Sequence, residues 1–110
     1  STATRQIVTV EGAVARPGLF PVQGPLTLLQ AVAQAGGTTT EADASNVIVF
    51  RTIEGERRAA RFNLNRIRNG RDADPAIFGN DIVVVFGSNT RRSYTELLRA
   101  LPIIGLFSAF

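Results

Sequence analysis

The stretch that decides the fold reads Val10-Glu11-Gly12-Ala13-Val14-Ala15-Arg16-Pro17-Gly18-Leu19-Phe20 and, six residues later, Thr27-Leu28-Leu29-Gln30-Ala31-Val32-Ala33-Gln34-Ala35-Gly36-Gly37. Its first part places Pro17 at the second and Gly18 at the third turn position, which is the chemistry of a type II turn with a positive φ at Gly18. This pattern predicts two strands that meet at the turn. The second part predicts a short helix, because Thr27 and Gln30 have the spacing of a capping box and Gly36 is a typical residue after a helix end.

The two strands of this hairpin differ in their predicted surroundings. Val8, Val10 and Val14 fall on one face of the first strand, and Gly12 between them indicates a bulge or a close approach of two backbones. Pro21 lies in the return strand and cannot donate a backbone hydrogen bond. We therefore expect the return strand to lie at an edge of the sheet or to end at Pro21.

A second hairpin is predicted from the strand at 47–53 onward, and its register can be argued from charge. A two-residue loop, Glu54-Gly55, would set Ile48 opposite Arg61 and bury a charge. A three-residue loop, Glu54-Gly55-Glu56, sets Ile48 opposite Phe62 and leaves one apolar face. The three-residue loop is therefore expected, and the other face should then carry Val49, Arg51, Arg57 and Arg61 toward solvent or a partner.

The remaining apolar residues before position 88 predict a helical turn and a central strand. Leu64 and Ile67 are spaced for one helical turn that ends at Gly70. Residues 82–86 are apolar without alternation, as in a strand that is covered on both faces. The order of elements predicts an α+β chain with a β-grasp (ubiquitin-like) fold over residues 5–87, in which a mixed sheet packs on one helix and the first and last strands are neighbours.

Residues 88–110 are predicted to form a separate element, a polar linker followed by an apolar helical tail. Its helical stripe is interrupted by Pro102. A domain of this size has little use for so many exposed apolar groups, so we expect the tail to contact another subunit, a lipid interface or the flank of its own domain. The candidate interface residues are Leu97, Leu98, Leu101, Ile103, Ile104, Leu106, Phe107 and Phe110.

The composition argues against most enzyme chemistry. The 110 residues include no Cys, His or Lys, which excludes disulfides, thiol and imidazole catalysis, and Cys or His zinc sites. The neighbouring carboxylates are local pairs in predicted loops and turns, where such residues are common for backbone reasons; they are Glu41/Asp43, Glu54/Glu56 and Asp72/Asp74. We expect a protein that is not an enzyme and that holds no cofactor or metal.

The net charge of +3 is modest, but the positive charge is concentrated. From Arg57 to Arg71 there are six Arg and no acidic residue. Guanidinium groups bind carboxylate and phosphate bidentately, so an acidic polysaccharide, a phosphate or a nucleic acid would suit this stretch. With one Tyr and no Trp, a stacking surface for bases is missing, which makes nucleic acid the weaker choice. The simplest alternative is a solvated face or a subunit interface.

The order and spacing of these segments resemble the SLBB (soluble ligand-binding β-grasp) domain of bacterial outer-membrane polysaccharide export proteins. The resemblance covers about Gln6 to Phe86. It rests on Val8 to Val14 with Arg16-Pro17-Gly18, the helix that ends Ala35-Gly36-Gly37, Ser45 to Arg51, Phe62-Asn63-Leu64 with Asn69-Gly70, and Gly79 to Val85. Where the family commonly has Gly-Asp before its last strand, this chain has Gly79-Asn80-Asp81.

The resemblance implies a periplasmic, outer-membrane-associated module of a capsule or exopolysaccharide export channel. Such proteins form ring-shaped homo-oligomers that pass the polysaccharide outward and work with an inner-membrane copolymerase. Arg51, Arg57 and Arg61 are then the best candidates to face an anionic polymer. The chain is expected to be a fragment, with its signal sequence upstream of Ser1.

Two alternatives to the export module stay open. One is a β-grasp module that binds DNA or another polyanion in a DNA-uptake protein, suggested by the arginines at 57–71. The other is a protein adaptor that docks partners at the sheet edge near 19–22 and through its tail.

Overall fold

The computed structural model describes residues 6–88 and the two-residue strand Ile103–Ile104. It is a mixed α+β structure, as predicted. The elements are β1 (Ile7–Gly12), β2 (Gly18–Pro21), α1 (Leu28–Gln34), β3 (Ala42–Ile53), β4 (Glu56–Phe62), α2 (Leu64–Arg68), β5 (Ile82–Gly87) and β6 (Ile103–Ile104). The strands form one mixed sheet in the order β2-β1-β5-β3-β4-β6. The strands β1 and β5 are parallel neighbours, which confirms the predicted adjacency of the first strand and the strand at 82–86.

The first hairpin forms, but its turn is not the one predicted. Gly18 opens β2 without a positive φ, and the positive φ of +89° belongs to Gly12 at the end of β1. There the backbone of β5 comes so close that a side chain would collide with the carbonyl of Val85. The loop between β1 and β2 is longer than a type II turn. A backbone hydrogen bond joins it to the end of the helix, since the Arg16 N–H donates to the Ala35 carbonyl at 2.7 Å.

The helix α1 begins and ends as its sequence predicts. The Thr27 hydroxyl accepts from the Gln30 N–H at 3.3 Å, and the Gln30 side chain accepts from the Thr27 N–H at 2.9 Å, which completes the capping box. Gly36 follows the helix with a φ of +85°, where residues without a Cβ are favoured. The buried face of the helix, which holds Leu28 and Val32, packs on the sheet.

The register of the second hairpin contradicts the prediction. Ile48 lies opposite Arg61 and Phe50 opposite Ala59, which is the register of the two-residue loop. The loop residues Glu54 and Gly55 both have positive φ, at 52° and 81°, as in the type I′ turn that matches the twist of paired strands. The prediction failed because it assumed that only one face of β3 is apolar.

The core occupies both faces of the central strands, and β5 is covered on both, as predicted. The helix side of the sheet holds one cluster, which includes Val49 and therefore corrects the expectation that this residue faces outward. The second cluster lies on the opposite face and consists of Ile48, Phe50, Ala59, Val84 and Phe86. The strand β3 begins at Ala42, five residues before its predicted start, with an irregular register up to Val47.

The predicted apolar helical tail falls outside the described residues except at one point. Ile103 and Ile104 form β6, which pairs in parallel with Ala59 and Ala60 of β4, so a strand replaces the predicted helix there. The helical turn at Leu64–Arg68 is confirmed as α2.

Candidate functional site

The first of the three predicted ligand contacts, Arg51, is buried. Its guanidinium is 6% exposed and lies 4.5 Å from the centre of the Phe78 ring. Nε donates to Asp81 Oδ1 at 2.9 Å, and Nη2 donates to Asp81 Oδ2 at 2.6 Å and to the Ala76 carbonyl at 3.0 Å. The expectation that Arg51 faces solvent is wrong, because this side chain neutralises an internal carboxylate.

The carboxylate of Asp81 has a second structural contact. It is 1% exposed and accepts the Phe78 N–H at 2.8 Å, while the backbone N–H of Asp81 donates to the Phe78 carbonyl at 3.1 Å. These bonds fix the turn that enters β5, next to the strand that carries Arg51. The turn was visible in the sequence, but the pair was not, although a single Arg inside an apolar strand is a signal that a buried acid accompanies it.

The other two predicted contacts, Arg57 and Arg61, share a face and are exposed. They lie on β4 opposite Thr52 and Ile48, on the face of the sheet away from the helices. They are four steps apart along the strand, a distance of about 13 Å. The three candidates therefore do not form one site, since Arg51 lies on the other face.

Ion pairs neutralise part of the arginine-rich stretch. Arg58 pairs with Glu56 at 2.8 Å, and the Arg66 Nε donates to Asp72 at 3.0 Å. Within residues 6–88, the arginines of this stretch that form no ion pair are Arg57, Arg61, Arg68 and Arg71.

Two of these unpaired arginines line the same groove, which we call the basic groove. It has a volume of about 750 Å³, within the usual range for ligand sites. It lies where the end of β4 meets the loop after α2. Its lining residues are Ser45, Arg61, Phe62, Asn63, Arg71, Asp72, Ala73 and Pro75. Sequence reasoning found Arg61 but missed the groove, because three separate chain segments build it.

Two further depressions are lined by uncharged residues. One has a volume of about 510 Å³ between β2 and α1, with the side chains of Gln23, Gln30 and Gln34 around it. The other, about 370 Å³, lies beside Phe78. Within the described part of the chain, no three acidic side chains are grouped to hold a metal ion, and no helix is long and apolar enough to cross a membrane.

Comparison with known protein families matches the SLBB domain over residues 7–71. The matched residues make up more than half of the chain. The chain belongs to the SLBB domain family. No curated protein matches it. An SLBB domain is a soluble ligand-binding module, and the match in this chain includes both arginines of the basic groove.

Proposed function

We propose that this SLBB domain is a periplasmic β-grasp module of an outer-membrane polysaccharide export channel, where it contacts an anionic capsule or exopolysaccharide in transit. The observation that carries the proposal is a groove of ligand size lined by two exposed, unpaired arginines, Arg61 and Arg71. A third such arginine, Arg57, lies on the same strand face as Arg61. The adjacent parallel strands β1 and β5 and the packing of α1 on the sheet support the β-grasp topology.

The spacing of the exposed charges suits a polymer better than a single small anion. Arg57 and Arg61 stand about 13 Å apart on one strand face, so one guanidinium can meet one acidic unit of a chain and the next can meet another. Each exposed contact is weak, about 1 kcal/mol or less, and is screened by salt. Such contacts favour a polymer in transit, because a polymer held at several weak sites can still move on.

Assembly and location belong to the same proposal. The module works in a homo-oligomeric ring, with an inner-membrane copolymerase as its partner, and associates with the outer membrane through its C-terminal residues or through other parts of the protein. The edge position of β2 supports a subunit contact, because its outer backbone N–H and C=O groups can pair with a strand of another chain, and Leu19 is exposed there. Light scattering of the native chain tests this, and a Leu19→Ser variant with an unchanged oligomeric mass would count against a contact at β2.

Glycan binding is tested by NMR titration of the labelled chain with an acidic oligosaccharide such as hexagalacturonate. We expect chemical-shift changes centred on Arg57, Arg61 and Arg71. Changes centred on Phe20 or Phe78 that spare these arginines would contradict the assignment. Tighter binding of DNA, with the steep salt dependence of phosphate contacts, would favour the alternative of a polyanion or DNA-uptake module.

A further inference from the structure

We propose that the basic groove is a subsite for one carboxylate-bearing sugar unit, whose carboxylate is bound by the guanidinium groups of Arg61 and Arg71. This inference rests on the proposed function and deepens it, because it assigns one acidic unit of the glycan to one place on the domain. A guanidinium presents two parallel N–H donors that match the two oxygens of a carboxylate. Both side chains line the groove, and neither is occupied by an ion pair within residues 6–88.

The charge balance of the groove favours an anion. Its lining includes one acidic residue, Asp72, which would offset one of the two arginines. However, Asp72 accepts from Arg66 at 3.0 Å, and Arg66 lies outside the lining. Arg66 therefore neutralises Asp72 from outside the lining, and the positive charges of Arg61 and Arg71 remain available to a ligand in the groove.

The uncharged lining suits the rest of a sugar ring. Phe62, Ala73 and Pro75 supply an apolar surface on which the C–H groups of a pyranose can pack. Two polar side chains remain for the hydroxyl groups. The Asn63 oxygen accepts the Arg66 N–H at 3.2 Å, which leaves its amide N–H groups as donors. The Ser45 hydroxyl donates to Asp43, which leaves its own oxygen as an acceptor.

The depression between β2 and α1 is less suited to an acidic sugar unit than the basic groove. It is lined by glutamines and apolar residues without a charged side chain, so it can offer a carboxylate only neutral hydrogen bonds. An acidic sugar unit should therefore bind more tightly in the basic groove than in this depression. Inorganic phosphate and sulfated sugars share the same anion chemistry, so the experiment must separate them from a carboxylate.

The test is an NMR titration of the full 110-residue chain with hexagalacturonate and with its methyl-esterified form, which has the same length and rings but no charge. We expect the acid form to shift Asn63 and Ala73 and to bind about tenfold more tightly than the ester, because the ester lacks the charge that both exposed arginines contact. Equal binding of the two forms would overturn the inference. A sulfated oligosaccharide or inorganic phosphate that binds the groove more tightly than the uronate would overturn the carboxylate assignment.

A matched pair of variants locates the site. Arg71→Gln should weaken hexagalacturonate binding about fivefold, because one exposed charge-assisted contact is lost. Arg68→Gln is the control, since Arg68 is also exposed and also lacks an ion pair but does not line the groove. It should change binding less than twofold. Equal losses in the two variants would mean that only overall charge matters and would overturn the inference.

The role of Arg66 gives a second, independent readout. Arg66→Gln should weaken binding about two- to fivefold, the size of an exposed charge pair, because Asp72 would then oppose the ligand. The double variant Arg66→Gln with Asp72→Asn should restore the native affinity. A double variant that stays as weak as Arg66→Gln would contradict the proposed charge balance, and the amide spectra of all variants check that the fold is intact.

The same titration separates failure of this inference from failure of the proposed function. Shifts that follow β4 near Arg57 but leave Asn63 and Ala73 unchanged would refute the groove and leave the export module standing. An absence of shifts with every acidic glycan would refute both.

Discussion

The buried pair of Arg51 and Asp81 should tolerate the loss of both charges better than the loss of one. Asp81→Asn removes the negative charge that accepts from Arg51 but keeps an oxygen for the Phe78 N–H, so that a guanidinium 6% exposed loses its counter-charge. Breaking a buried pair from one side costs about 3–5 kcal/mol. A domain of this kind has a free energy of unfolding of about 5–15 kcal/mol in total. Arg51→Met leaves the Asp81 carboxylate alone and should cost a similar amount.

Urea unfolding followed by far-UV circular dichroism measures the effect. A loss of about 3 kcal/mol lowers the midpoint by about 2 M if the slope is about 1.5 kcal/mol per molar urea. The double variant Arg51→Met with Asp81→Asn removes both charges and should be at least as stable as either single variant. Additive losses, about 6 kcal/mol for the double variant, would refute the reasoning. So would single variants within about 0.5 kcal/mol of the native chain, the range of ordinary surface substitutions.

Two further predictions test the backbone that positions the basic surface. Gly12→Ala should destabilise the fold by about 3 kcal/mol or more, because it adds strain at positive φ to a collision with the Val85 carbonyl. Gly24→Ala, at a φ of +83° but in open space, is its control and should cost about 1–2 kcal/mol in the same urea assay. Glu54→Asn should stabilise the chain by about 0.5–1 kcal/mol, because Asn tolerates the left-handed φ that Glu54 adopts; a lower urea midpoint would contradict the type I′ turn.

Local signals in the sequence were sufficient for α1 and for the close approach at Gly12. The capping box between Thr27 and Gln30 involves residues three positions apart, so its chemistry is complete within one turn of helix. Gly12, between alternating valines, predicts either a bulge or a close approach of two backbones, and the structure shows a close approach to β5.

Signals that depend on distant partners misled the prediction. The sequence predicts that Arg51 faces solvent or a partner because only one face of the second hairpin was expected to be apolar, but Asp81, thirty residues away in sequence, neutralises Arg51 inside the domain. The basic groove was missed for the same reason: Ser45, Arg61 and Ala73 come from separate segments that only the fold brings together. The apolar residues of β5 predict a strand that is covered on both faces. For the neighbouring strand β3, the prediction instead assumed that only one face is apolar, and this assumption is wrong.

The turn between β3 and β4 connects the backbone chemistry to the proposed binding surface. Side chains alternate between the two faces of a strand, so a shift of one residue in register exchanges the faces of the whole strand. With the two-residue turn, Ala60 faces the helix side, and Arg57 and Arg61 face away from it. One more residue in the turn would direct both arginines toward the apolar cluster beneath the helices, at the desolvation penalty of unpaired charges. The positive φ values of Glu54 and Gly55 thus determine which arginines of β4 are exposed on the face away from the helices.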